Sequence, residues 1–243
     1  MAVLLTRPEP DNATSADALR ARGFAVLRAP MLHVQALAFR VPDEMSHDGV
    51  IVTSANALRV ISAHPLRERL AGLPLFAVGQ RTADAAKAAG FDKVLSAGGD
   101  VASLRKLIVG TANRTASLLY LAGAELSADL AADLAADEIA VTTVTIYRVV
   151  TTDEIPADVA AAFADHAIEA VLHYSRRSAA AFVATLRRAG LEIAGLGVLQ
   201  LCISEAVARV LREAGAASIA VADRPEEAAM FDALERALQS RRL

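Results

Sequence analysis

Short apolar runs alternate with helix-period segments along the chain. The runs AVLLT (2–6), FAVLRA (24–29), GVIVT (49–53), PLFAV (74–78), KVLS (93–96), SLLYL (117–121), AVTTVTIYRVV (140–150), EAVLHY (169–174), VLQLCI (198–203) and SIAVA (218–222) read as strands. Most are continuously apolar rather than alternating. That pattern marks strands buried on both faces, as in a parallel sheet covered by helices on each side. The helical stretches 14–22, 82–89, 178–189 and 205–214 each run into a glycine, at positions 23, 90, 190 and 215. Glycine at that place suits a left-handed helix end. The βαβα rhythm predicts a doubly wound α/β class.

Two segments break the rhythm. PMLHVQALAFRVP (30–42) is extended and closed by prolines, and 140–152 is longer than one buried strand needs. A pair of strand-like connectors between two domains accounts for both. The chain also echoes itself. VIVTSANAL (50–58) resembles AVLHYSRRSAAAF (170–182), with Ser54 matching Ser175. AVGQRTADAAKAAGF resembles CISEAVARVLREAGA, with Thr82 matching Val207, and VLLTRPEPDNATSADALRARG resembles LLYLAGAELSADLAADLAADE. Each offset is close to half the chain, so two similar α/β units are expected. A cleft between two such domains is a preferred place for a ligand.

Composition narrows the functional classes. The 243 residues are 54% hydrophobic, enough for two cores. There is no Trp, aromatics are 4% and net charge is −3, so a stacking platform or basic face for nucleic acid is not expected. The five histidines, at 33, 47, 64, 166 and 173, show no zinc-site spacing. The lone Cys202 ends an apolar run and reads as a buried thiol, suited to a reducing compartment. The start MAVLLTRPEPD turns polar too soon for a signal peptide, and no apolar run reaches ~18 residues. A cytoplasmic protein away from the membrane is expected.

In open parallel sheets, ligands bind beyond the carboxyl ends of strands. The residues there are Arg7, Thr53 to Asn56, Gly79 to Thr82, Gly123, Ser175 to Ser178 and Ser204. Helix starts at these places offer backbone N–H groups suited to carboxylates or phosphates. The plainer reading makes each Ser or Thr a helix cap. Dinucleotide, P-loop and nucleophile-elbow motifs are absent from the sequence. Glu125, Asp129, Asp133 and Asp137 recur every four residues and read as a solvated face of one helix, since like charges at that spacing repel. Tyr147 lies in a connector, where a phenol can donate a proton into a cleft or merely cover a domain edge.

Taken in order, LLTRP, DGVIVTSANAL, FAVGQRTADAAKAAGF, the LLYLAG to VTIYRVV block and the second YS…AAAF unit resemble the uroporphyrinogen-III synthase family. The resemblance spans nearly the whole chain and rests on order and spacing. It implies two flavodoxin-like domains, joined by a two-stranded β-ladder (34–41 and 144–151) with a deep cleft. The first domain is then discontinuous (1–33 plus 152–243), and the second is 42–143. The implied reaction cyclises hydroxymethylbilane with loss of water and inversion of ring D, through a spiro-pyrrolenine, with no cofactor and no metal. Tyr147 matches the family's tyrosine proposed to assist departure of the hydroxyl. Ser54 and Asn56 match its T-S-x-N turn, and Gly79 and Thr82 its V-G-x-x-T-A turn. Arg7, Gly123, Ser175 and Ser204 complete the expected substrate contacts. A monomer in transient contact with the upstream deaminase is also implied.

Departures stand beside the matches. Ser204 and Val207 replace the glycine and threonine of the second turn, leaving Val207 to packing. Ala122-Gly123 stands where the family often has R-G, and Ser127 stands in place of a further arginine, with Arg176 and Arg177 as candidates to compensate. A non-catalytic two-domain sensor and an inactive paralogue therefore stay open at this level.

Overall fold

The computed structural model describes residues 2–41, 46–126 and 128–240. The expected domain limits 1, 42 and 243, and Ser127, lie outside these residues. Along the chain the elements are β1 (Ala2–Leu5), α1 (Asp11–Ala21), β2 (Ala25–Arg28), β3 (Leu32–Ala36), β4 (Gly49–Val52), α2 (Ala55–Ser62), α3 (Leu66–Leu70), β5 (Leu75–Ala77) and α4 (Gln80–Ala88). Next come β6 (Val94–Ser96), α5 (Val101–Thr111), β7 (Ser117–Gly123), α6 (Leu130–Ala135), β8 (Ala140–Thr151) and α7 (Ala157–Ala164). Last are β9 (Ile168–His173), α8 (Arg176–Ala189), α9 (Glu192–Gly197), β10 (Leu199–Cys202), α10 (Glu205–Glu213), β11 (Ser218–Val221) and α11 (Glu227–Gln239).

The chain divides into two compact units, Met1–His33 with Val150–Leu243, and Val34–Val149. The first holds an all-parallel sheet of order β2-β1-β9-β10-β11. Counted within the unit this is 2-1-3-4-5, the flavodoxin-like order. The second holds the parallel order β8-β7-β4-β5-β6, with β3 added beside β8. Set in line, β7 matches β1, β4 matches β9 and β5 matches β10. Those are the partners in the sequence echo. The second unit thus has the same strand order, with its chain entering at a different strand.

Both cores explain the continuous apolar runs. In the second unit, Val50 and Val52 pack with Leu58, Ile61, Ala83 and Ala86 of α2 and α4. Between them Ile51 points the other way, to Leu104 and Ile108 of α5 and to Leu130 and Leu134 of α6. In the first unit, Val3, Leu5, Leu172 and Leu201 pack against Leu19 of α1 and against Met230, Phe231 and Leu234 of α11.

The helix ends follow the glycines: Gly23, Gly90, Gly190 and Gly215 all have φ between 67° and 90°. Two expectations change. The first connector strand begins earlier than 34, because Thr152 N–H donates to Met31 O (2.9 Å) and Thr152 Oγ1 to Pro30 O (2.7 Å), drawing the pairing back. Leu37 N–H donates to Ile146 O (2.9 Å), and with the Thr152 bond this sets β3 antiparallel to β8. The acidic residues 125–137 do not share one helix face. Asp129 caps α6 by accepting from Ala132 N–H (3.0 Å), and the left-handed Glu138 (φ 64°) follows its end, so α6 is six residues long. Glu125 precedes that helix and Asp137 pairs with Arg105 (2.8 Å).

Candidate active site

In the second unit the strand order reverses direction between β4 and β7, which is where open α/β sheets present their ligand crevice. The carboxyl ends of these strands carry Thr53, Ser54 and Gly123, and β8 brings Tyr147 alongside. β7 and β8 pair regularly as far as Ala122 opposite Thr145, then Gly123 pairs with Tyr147 and Ile146 is skipped. That is a bulge, and it reverses the side-chain phase of β8. Val144 and Ile146 before it, and Tyr147 and Val149 after it, all join one core with Val52 and Leu121. Ala124 N–H donates to Tyr147 O (2.9 Å) just past the bulge. Tyr147 is 8% exposed. Its ring occupies the space beside Gly123, where an added Cβ would lie 2.7–2.9 Å from Cζ, Oη and Cε2.

In the core on the other face of the sheet, Tyr120 Oη and Thr53 Oγ1 share a hydrogen bond of 2.9 Å. Burial raises the pKa of Tyr120, against the opposing effect of the Thr53 bond, so this phenol stays neutral. Ser54 caps α2, accepting from Asn56 N–H (3.2 Å). The Asn56 side-chain oxygen accepts from Arg59. Gly79 is the extended N-cap of α4, and an ideal Cβ on it would make only ordinary contact, with Gly99 N at 3.9 Å. Thr82 lies in the first turn of α4 and is buried.

In the first unit the corresponding point lies between β1 and β9. Arg7 follows β1 and is fully engaged. It donates to Asp11 Oδ2 (2.9 Å), Glu227 Oε1 (2.8 Å) and Ser15 Oγ (2.9 Å), and its guanidinium lies 4.2 Å from the Tyr174 ring centre. Tyr174 Oη donates to the same Glu227 oxygen (2.9 Å), as does Ser15 Oγ. Burial first, and then the Glu227 charge, raise the pKa of this phenol. Ser175 caps α8 by accepting from Ser178 N–H (3.0 Å). Ser204 is the N-cap of α10 but makes no side-chain cap bond, and Val207 is buried. Arg176 and Arg177 are exposed at the start of α8.

Beneath these turns His173 is fully buried, between Gln200 Oε1 (2.9 Å from Nε2) and Thr6 Oγ1 (3.4 Å from Nδ1). Burial lowers its pKa to about 4. Cys202 is buried and its pKa is pushed up to about 12, so the thiol is unreactive at neutral pH. Among the described residues no group of three His, Cys, Asp or Glu could hold a metal ion, and no helix is long and apolar enough to cross a membrane.

The sequence reading reached the strand-end turns and Tyr147 but missed Thr53 as a bonded partner, Tyr120, Tyr174 and Glu227. Tyr120 was hidden inside a core strand. Glu227 lies 220 positions from Arg7, and no local spacing announces that pair.

The family model described as Uroporphyrinogen-III synthase HemD matches residues 13–232. No curated protein matches the sequence. Among solved structures, uroporphyrinogen-III synthetase from Helicobacter pylori 26695 is 18% identical, covering 98% of this chain and 99% of that one with a TM-score of 0.59. A mutant uroporphyrinogen III synthase from the extreme thermophile Thermus thermophilus is 19% identical, covering 99% and 100%, with a TM-score of 0.53. At such identities the structural likeness speaks for the shared fold.

Proposed function

Since the chain belongs to the uroporphyrinogen-III synthase family, we propose that it converts hydroxymethylbilane to uroporphyrinogen III. In this reading the protein is a lyase-type cyclising enzyme of tetrapyrrole biosynthesis, more narrowly a hydro-lyase. The observation that carries it is the family match across residues 13–232. Tyr147 at the β7–β8 bulge supplies the matching chemistry.

The substrate is a linear tetrapyrrole that closes unaided to the uninverted isomer I. The enzyme must hold a conformer that closes the other way, which is catalysis by orientation. The Tyr147 phenol donates its proton to the departing hydroxyl of the ring A hydroxymethyl group, which leaves as water. Ring D attacks the resulting azafulvene through its substituted α-carbon, giving a spiro-pyrrolenine. The bond from that carbon to the ring C bridge then breaks, and the azafulvene so formed on ring C is captured by the free α-carbon of ring D, which inverts the ring. The phenolate regains a proton when ring D gives up the one displaced by the new carbon–carbon bond. The route is redox-neutral and balances without cofactor or metal.

The substrate carboxylates are held at the helix starts by backbone N–H groups at Ser54, Gly79 and Thr82, Ser175 and Ser204, and by the side-chain amide of Asn56, whose own N–H already serves the Ser54 cap. Arg7 acts as the brace of the turn after β1, because its charge is already matched by Asp11 and Glu227. Gly123 serves through Tyr147. We place the protein in the cytoplasm as a monomer, in transient contact with the upstream deaminase that delivers its substrate.

The test is a coupled assay. Hydroxymethylbilane is generated in situ by its deaminase, the protein is added, and the oxidised uroporphyrin isomers are separated by chromatography. Isomer III in excess is the expected result. Isomer I alone, from folded protein, would overturn the activity and leave a sensor or an inactive paralogue.

A further inference from the structure

We infer that Gly123 is the positioning residue for the Tyr147 phenol, and that its lack of a side chain, rather than any contact of its own with substrate, is what the reaction needs. The inference rests on the function proposed above. Three observations carry it, all within the second unit. The bulge at Ile146 turns Tyr147 onto the face of Val52, Leu121 and Val149, where regular pairing would turn it to the opposite face with Val141. Once there, the ring fills the place of a residue-123 side chain. The nearest heavy atoms to an ideal Cβ are Cζ at 2.7 Å, Oη at 2.8 Å and Cε2 at 2.9 Å. Gly123 itself is not in the left-handed region, so its backbone does not demand glycine. The demand comes from the phenol. Gly123 is also buried, and the hydrogen bond from Ala124 N–H to Tyr147 O ties the next residue to the same tyrosine. Bulge and glycine together fix the depth and the heading of the hydroxyl.

The test is a double-mutant cycle on the whole protein: wild type, Gly123→Ala, Tyr147→Phe and the double variant. An alanine methyl must push the ring aside, and a displacement near 1 Å costs on the order of 10²-fold in rate. Gly123→Ala is therefore expected to lower kcat by about that factor with KM unchanged. Once the hydroxyl is gone, adding the alanine should lower kcat no further. An unchanged kcat in Gly123→Ala overturns the inference. So does a raised KM at constant kcat, which would place residue 123 in the substrate's own space, and so do additive losses in the double variant.

If Gly123→Ala folds poorly, thermal melts of Gly123→Ala, Tyr147→Ala and their combination decide. The alanine penalty at 123 should disappear when Tyr147 is truncated. An equal penalty in both backgrounds overturns the pairing. If wild type yields only isomer I, the proposed activity fails, while the melting cycle still tests the pairing of Gly123 with Tyr147.

Discussion

Tyr147 is buried to 8% exposure with its ring against Gly123, so its hydroxyl has a fixed address and few alternatives. Removing only that hydroxyl, in Tyr147→Phe, is expected to lower kcat by about 10²–10⁴-fold, the range of general acid catalysis, with the melting profile intact. Single-turnover rates and circular dichroism on one preparation check it. Full activity in that variant would remove the acid role. Arg7 is the opposite case, a charge already spent inside the protein. Arg7→Ala removes the cation that faces Glu227 and Asp11, and should cost about 1–2 kcal/mol by urea denaturation, a figure held down by their partial exposure. His173 gives a pH signature. Its folded pKa is near 4 and its ordinary value is 6.5, so between those pH values the unfolded chain binds the extra proton. Stability from this residue is complete above pH 6.5 and is lost as pH falls toward 4, by about 3 kcal/mol in all. Urea midpoints at pH 7, 6.5, 6 and 5.5 should fall steadily, before the carboxylates lowered in the folded state, Asp100, Asp137 and Glu205, begin to take up protons in the unfolded chain.

At the scale of elements, the serines that close the strand-end turns differ in kind. The Ser175 hydroxyl oxygen accepts from Ser178 N–H in the first turn of α8, whereas Ser204 makes no such bond to α10. Ser175→Ala should cost about 1 kcal/mol in thermal unfolding. Ser204→Ala should stay within about 0.5 kcal/mol of wild type. Equal losses in both would mean that the cap geometry is not what separates them. The turn positions and the Ser175 cap were readable in advance, because hydroxyl and glycine punctuation is a local code, but the same code gave Ser204 a cap bond that it does not make. The length of α6 was not. A four-residue spacing of acids suggested one long helix, but the Asp129 cap and left-handed Glu138 confine it. The bulge at Ile146 was equally silent, since VTIYRVV is apolar enough to sit in either register.

At the scale of the molecule, each unit closes its own sheet with its own helices, and the second is one uninterrupted stretch, Val34–Val149. Its two ends enter on neighbouring strands, with Leu37 bonded to Ile146. A fragment of residues 34–149 is therefore expected to fold alone and to unfold cooperatively in urea. A fragment with helical circular dichroism but no cooperative transition would mean that the unit leans on the rest of the chain. The sequence by itself determined the α/β class, the strand positions, the helix ends and the echo between units, because these depend on local propensity and on the period of buried residues. It also placed the strand-end turns and singled out Tyr147 through family resemblance. Tertiary structure alone decided which strands became neighbours, that Arg7 is neutralised by Glu227, that Tyr120 meets Thr53, and that Gly123 stands empty for a phenol. Those facts join residues far apart in the chain or differing by one step of register, and neither distance nor register leaves a mark on a linear pattern.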